Sequence, residues 1–450
     1  MTSRSNIPGD INIERFELTN YSKSPKSTLD ITEIAYEFSY YEDIRSPSIY
    51  ADVTLVDGSG LMNSYPIVGD EDLILSFSGA FNFDSNEVID INLRSYKIGE
   101  KKKVSDRATQ YPIFFTTNQE IQNKKTEVVS GFSGRISDII PRFSKLNFVN
   151  IEPTDGLFKY AGMGYNVFDT IRLLAKEAKS SRFNSSNYLF YQLHNGYYFV
   201  TLESLFLQDT SKKYYYTPAN VNRGSGDITP DQVIDILEHV KSNDLIKGMD
   251  RGLYGNKTES LDLLRKVYNV RQFDYFGSGF NATNHIPEFP NLIQPRNESS
   301  ARNSQLANVK FFASDLNDVA SIDYIRNLDV TTNNYGRKKH IFSGIETSLK
   351  EQMMSNIFRI AIPGDSARHA GQIIEINMPE SSQKLQDQNS YDKYLSGRFL
   401  IVTVRHMLQA NKEYVTIMEC VKDCLRSVII KLSVLSLIPL RFTKECNLNT

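Results

Sequence analysis

Between Asn356 and Asp423 apolar and polar residues alternate with a period of two, which predicts a run of β-strands. Phe358, Ile360 and Ile362 share one face over 357–362. Ile374, Ile376 and Met378 do so over 372–378, and Leu400, Val402, Val404, His406 and Leu408 over 397–408. Residues 413–421 are apolar on both faces, with Val415, Ile417 and Val421 on one and Tyr414, Met418 and Cys420 on the other. That pattern suits a strand covered from two sides. Pro363-Gly364-Asp365 predicts a type II turn, in which Pro presets φ and Gly takes positive φ. The short link 409–412 makes the last two strands a hairpin.

The same alternation marks an N-terminal unit. Strands are expected at 28–40 (Ile34, Tyr36, Phe38, Tyr40), 49–56 (Ala51, Val53, Leu55), 72–78, 87–98 (Ile89, Ile91, Leu93) and 110–117. Both units place a strand after a Gly-bearing turn (Gly69 or Gly371), then a long alternating strand and a hairpin back. Internal duplication and mere likeness between small β-domains both account for this.

The intervening pattern is mixed. Ile136, Ile139, Ile140 and Phe143 stand at helical spacing over 133–146, with Pro141 limiting the helix. Asn166 reads as an N-cap for a helix over 167–178. Strands over 188–193 and 197–203 are joined at Asn195-Gly196, a strong hairpin signal. Farther on, 231–247 predicts a helix, 251–275 extended chain, and 276–305 a polar stretch too long for a simple connection, expected to be either mobile or an interaction loop. A helix is expected over 337–355, where Ile341, Ile345, Leu349 and Met353 stack.

The expected fold class is therefore mainly β with an α+β insert. It comprises two similar antiparallel β-barrel domains, a small α/β domain and a long insertion. The expected division is 10–120 for the first barrel, 121–212 for the α/β domain, and 213–275 with 356–424 for a discontinuous second barrel. Residues 276–355 form the insertion and 425–450 an apolar C-terminal tail.

Composition narrows this further. A chain of 450 residues is too long for one core and splits into several domains. The net charge of −2 gives no basic footprint for nucleic acid and no polybasic membrane patch. Three cysteines, Cys420, Cys424 and Cys446, make no disulfide framework and fit synthesis in a reducing compartment. The opening residues lack an apolar stretch, so no signal peptide is expected. The apolar segment 425–440 carries Lys431 and Pro439 and is too short to span a bilayer. It is expected to dock on its own chain, on a partner or in an oligomer interface.

Candidate chemistry is sparse. Gly162-Met163-Gly164 lacks the third glycine of a dinucleotide loop, Val167 standing in its place, so it reads as loop and cap. Gly131-Phe132-Ser133-Gly134 is no nucleophile elbow because Arg135 follows. The six histidines are scattered, with no HExxH pattern and no Cys/His cluster. His406 reads as a core-edge residue on an apolar face. Glu152 and Asp155 are the one conceivable glycosidase pair, and 101–103 a solvated basic hairpin tip. No catalytic, cofactor-binding or metal-ligating residue is expected, and no cofactor.

The motif residues Pro363, Gly364, Asp365, Gly371, Gly397 and His406 carry a resemblance. The run Phe358 to Asp365, then Ala370 to Glu375, Gly397 to His406 and Tyr414 to Glu419, is similar in order to the T4-like baseplate hub family of contractile phage tails. That family is related to the hub half of type VI secretion spike proteins. The residues from Gly252 to Lys257, the hairpin around Asn195 and the opening strands resemble it too. The likeness runs to about Asp423; the tail after Cys424 has no counterpart.

The resemblance implies two tube-type barrels per chain and a non-enzymatic virion protein of the tail baseplate, made in the host cytoplasm. It implies a homotrimer whose six β-domains mate with a tail tube protein hexamer. The trimeric spike protein and other baseplate proteins would be further partners. DNA would pass through the channel without specific binding, and no membrane span is implied. The readings set against it are a cell-wall hydrolase and a host-surface-binding protein.

Overall fold

The computed structural model describes residues 9–20, 27–58, 60–61, 65, 67–69, 71–79, 88–183, 186–216, 229–241, 245–253, 255–262, 267–274, 309–313, 344, 346–351, 356–379, 391–392, 395–409 and 413–422. The N-terminal strands are β1 (Ile11–Asn20), β2 (Ser27–Asp30), β3 (Ala35–Asp43), β4 (Tyr50–Asp57), β5 (Glu71–Gly79), β6 (Ile89–Ile98) and β7 (Thr109–Thr117). The insert follows with helices α1 (Ile136–Ser144) and α2 (Val167–Glu177), strands β8 (Tyr188–Leu193) and β9 (Gly196–Thr201), and the short helix α3 (Leu202–Phe206). The C-terminal strands are β10 (Thr210–Tyr216), β11 (Ile236–Lys241), β12 (Ile357–Pro363), β13 (Ile373–Asn377), β14 (Gly397–Gln409) and β15 (Tyr414–Lys422).

One large sheet holds both halves together. Its N-terminal part runs β3-β4-β7-β6-β5-β1-β2, every pair antiparallel. Its C-terminal part runs β11-β12-β15-β14-β13-β10. The pair β10 and β13 is parallel, a departure from the all-antiparallel expectation. The two parts are joined by β14. Its first residues, Gly397 to Leu400, pair with β13, and Thr403 to Gln409 pair with β3. Along its other edge it pairs with β15.

Each half wraps its own core. Phe16, Leu18, Phe38, Val53, Leu73, Phe77, Ile113 and Phe115 are buried in the N-terminal one, with Leu408 and Tyr414 from the β14–β15 hairpin among them. Ile360, Ile362, Ile374, Phe399, Leu400, Val404 and Met418 centre the other. The β8–β9 hairpin is two-sided, as period-2 alternation allows. Tyr191, Leu193 and Val200 enter the C-terminal core, while Phe190, Tyr197 and Phe199 pack with Ile140, Phe168 and Ile171 of α1 and α2.

Several expectations change. The strand expected at 28–40 is two strands, β2 and β3. Asp30 accepts hydrogen bonds from the Thr32 amide (2.9 Å) and hydroxyl (2.7 Å), turning the chain between them. Strand β1 was not foreseen at all; a bulge between Ile13 and Arg15 breaks its alternation, and Leu18 to Asn20 are all buried, so period 2 is lost along it. Among the described residues, the helix expected at 231–247 is chiefly strand, at Val233–Ile234 and β11, with a 3-10 turn at Pro230–Gln232 and α-helix at Leu245–Asp250. There the backbone groups of β12 supply ladder partners and tertiary pairing overrides the helical spacing. The helix expected from 133 begins at Ile136, because Gly131–Gly134 pairs as a strand with Phe158–Ala161. In 337–355 the described residues, 344 and 346–351, are helical. The loop at 276–305 and the tail at 425–440 lie outside the described residues.

Candidate functional site

The chain between β12 and β13 has no strand or helix, yet every residue from Gly364 to Gly371 is buried. Connections normally run on the surface, since their backbone polar groups need partners. Here the partners come from all sides. The Gly364 amide donates to the Tyr414 carbonyl (2.8 Å), the Asp365 amide to Thr416 Oγ1 (2.9 Å) and the Ala367 amide to Asp365 Oδ1 (3.0 Å). The His369 amide reaches Gln372 Oε1 (3.2 Å), that of Ala370 reaches Glu42 Oε2 (3.2 Å), and that of Gly371 the Ile401 carbonyl (2.8 Å). Ser366 Oγ accepts from the Gly79 amide at the end of β5 (3.2 Å). The loop thus ties β5, β3, β14 and β15 to one another.

Two charged knots form on it. In the first, Asp365 Oδ2 meets Lys212 Nζ (3.0 Å) and Arg368 Nε (3.2 Å), and Lys212 also meets Asp231 (2.8 Å). Burial by itself would raise the Asp365 carboxyl, but Arg368 and Lys212 outweigh it and hold it below the usual aspartate range.

The second knot centres on Glu42 of β3, which is fully buried. Tyr40 donates its hydroxyl to Oε1 (2.8 Å), and His369 Nδ1 lies 3.3 Å from Oε1 and 3.2 Å from Oε2. His194, in the β8–β9 turn, places Nδ1 3.9 Å from Oε1. Burial alone would push the Glu42 carboxyl up; His369 and His194 outweigh it and keep it below the ordinary carboxylate range. An ionised carboxylate only accepts, so His369 Nδ1 carries the proton it shares. His406 completes the group, its ring 6.3 Å from that of His369 and its Nδ1 2.7 Å from the Tyr414 hydroxyl. Burial brings its pKa down to about 4, so this ring is neutral near pH 7.

The motif residues read from sequence divide here. Pro363, Gly364, Asp365 and Gly371 frame the buried loop, Gly397 opens β14, and His406 sits on β14 beside the Glu42 knot. Gly364 does not take positive φ, contrary to the type II turn expected. It is needed for close approach, because a Cβ there would run into the Tyr414 ring. Gly371 does sit at φ +89, a conformation that favours glycine, and an added Cβ would lie 2.9 Å from the Tyr191 hydroxyl. His406 is fully buried rather than at the core's edge. Glu42, His194 and His369 were not singled out by the sequence.

The remaining candidates disperse. Glu152 is buried, with Oε1 bound by Ser180 (2.7 Å) and Oε2 by the Thr201 amide (2.8 Å), Thr201 hydroxyl (2.7 Å) and Ser204 hydroxyl (2.7 Å). It anchors the start of α3. Asp155 is exposed and pairs with Lys179, so the two carboxylates hold separate structural roles. Gly162 lies where a Cβ would strike the Val128 and Val129 backbone, and Asn166 caps α2 through the Asp169 amide (2.8 Å). Among the described residues no helix is long and apolar enough to cross a membrane.

No family model matches the sequence, and no curated protein matches it. Solved structures do match the fold. A 43 kDa tail protein of prophage MuSo2 from Shewanella oneidensis is 9% identical, with a TM-score of 0.51 and coverage of 91% of this chain and 98% of that one. The tail protein from Neisseria meningitidis MC58 is likewise 9% identical, with a TM-score of 0.50 and coverage of 91% and 97%. Over 91% of its length, then, this mainly β chain has the fold of these phage tail proteins.

Proposed function

We propose that the chain is a structural hub of a contractile tail baseplate, joining the tail tube to the spike without catalysing a reaction. The observation that carries the reading is the pair of sheet units, each with its own core, joined through the single strand β14. The buried loop supports it as well, since Asp365 ion-pairs with Lys212 of β10 and the loop amides bond to β3, β14 and β15, as suits a rigid joint.

In this reading the domains divide as 10–120, 121–212 and 213–275 with 356–424. The chain assembles as a homotrimer, presenting six β-units to a sixfold tube ring. Closed rings are built from repeated contacts of this kind. The spike is held on the distal side, DNA passes through the central channel, and the protein resides in the virion.

Light scattering on the purified full chain tests this. The expected mass is about three times 51.4 kDa, and electron images should show a ring of threefold symmetry. A monomer at all concentrations, even with a trimeric spike protein added, overturns the reading. Clearing of peptidoglycan in a zymogram would overturn its non-enzymatic part.

A further inference from the structure

We propose that Glu42, His194 and His369 form a binding site for a first-row divalent cation, Zn²⁺ above all, at the junction of the two sheet units and the insert. The three side chains arrive from separate parts of the chain: β3, the β8–β9 turn, and the buried loop after β12. One ligand atom from each lies within 4.8 Å of the others. Two imidazoles and a carboxylate are a donor set that suits Zn²⁺ and its neighbours.

The distances fit with little movement. A tetrahedral ion with bonds of roughly 2.0–2.2 Å spaces its ligand atoms roughly 3.3–3.5 Å apart. Measured to the one carboxylate oxygen Glu42 Oε1, His369 Nδ1 is already at 3.3 Å and His194 Nδ1 at 3.9 Å. The two imidazole rings lie together, with centroids 4.4 Å apart. Only His194 has to close in. It is the partly exposed member, at 12% side-chain accessibility against 0% for Glu42, and so marks the entry path.

Support around the ligands is present. Tyr40 donates to Glu42 Oε1 and the Ala370 amide to Oε2, which fixes the carboxylate as outer contacts do in metal sites. On binding, the ion takes the place of the proton on His369 Nδ1, and a water fills the fourth position on the His194 side. The ion would then lock the insert to both sheet units.

The test uses untagged full-length protein stripped with a chelator and reloaded with Zn²⁺ or Co²⁺. One equivalent per chain by elemental analysis, a Zn²⁺-dependent rise in Tm, and the intense visible bands of four-coordinate Co²⁺ are expected. His194→Asn should keep the Tm of the stripped wild type, because this residue is partly exposed. It should lose the Co²⁺ bands and weaken Zn²⁺ binding by more than the roughly 10- to 100-fold that loss of an outer contact costs. Absence of bound metal and of any Tm shift in the wild type overturns the proposal. So does stoichiometric binding retained by His194→Asn, or binding abolished only by replacing Cys424 and Cys446 with Ser.

Discussion

Tyr414 and Asp365 set the tolerance of the buried loop at the level of single atoms. The Tyr414 ring lies against the Gly364 Cα, where a methyl group has no space. Gly364→Ala should therefore destabilise the chain by about 1–3 kcal/mol through overpacking, seen as a lower urea midpoint. Asp365 makes a different prediction. Its folded pKa is depressed below the ordinary value near 3.8, so its contribution is fully present above that value and disappears as pH falls through the folded pKa. Each pH unit of depression corresponds to roughly 1.4 kcal/mol. Denaturation curves from pH 6 down to pH 2.5 should show the wild type losing its advantage over Asp365→Asn below about pH 4. A constant difference across that range would refute the ion-pair account. Part of this site was readable in advance: Pro363, Gly364, Asp365 and Gly371 stood out as turn chemistry. The Glu42 knot was not, because His194, His369 and His406 are far apart in sequence and only the sheet order gathers them. One signal was available. Glu42 continues the apolar face of Phe38 and Tyr40 in an alternating strand, and an acid in that position needs buried partners.

At the scale of elements, β14 decides how the molecule unfolds. It pairs with β13, β15 and β3 and sends Leu408 into the core of the other half. The two halves should therefore melt together. Leu408→Ala should cost about 2–5 kcal/mol, as for other buried leucines, and shift one calorimetric transition downward without splitting it. Two separate transitions would show that β14 does not couple the cores. The strands around β14 were legible because alternation with a clean apolar face survives where one side is core. It failed over 233–241, where Val233, Ile234, Leu237 and Val240 also fit a helix. What decides there is pairing with β12, a strand more than a hundred residues farther along the chain. Local spacing carries no record of that partner.

On the scale of the whole molecule, β15 is described as far as Lys422, and the apolar run at 425–440 lies two residues beyond it in sequence. An apolar stretch of this length left in water would drive aggregation, so it needs a surface to cover. If that surface belongs to the assembly, removal of the residues after Asp423 should separate folding from association. The truncated chain should then keep the urea midpoint of the full chain when both are dilute enough to be unassociated. Its sedimentation profile should move toward the single-chain mass as protein is diluted, at concentrations where the full chain stays assembled. An unchanged midpoint with unchanged assembly would rule out the tail as an interface. A midpoint lowered equally at every protein concentration would instead place the tail against its own chain, because contacts between chains weaken on dilution and contacts within one chain do not.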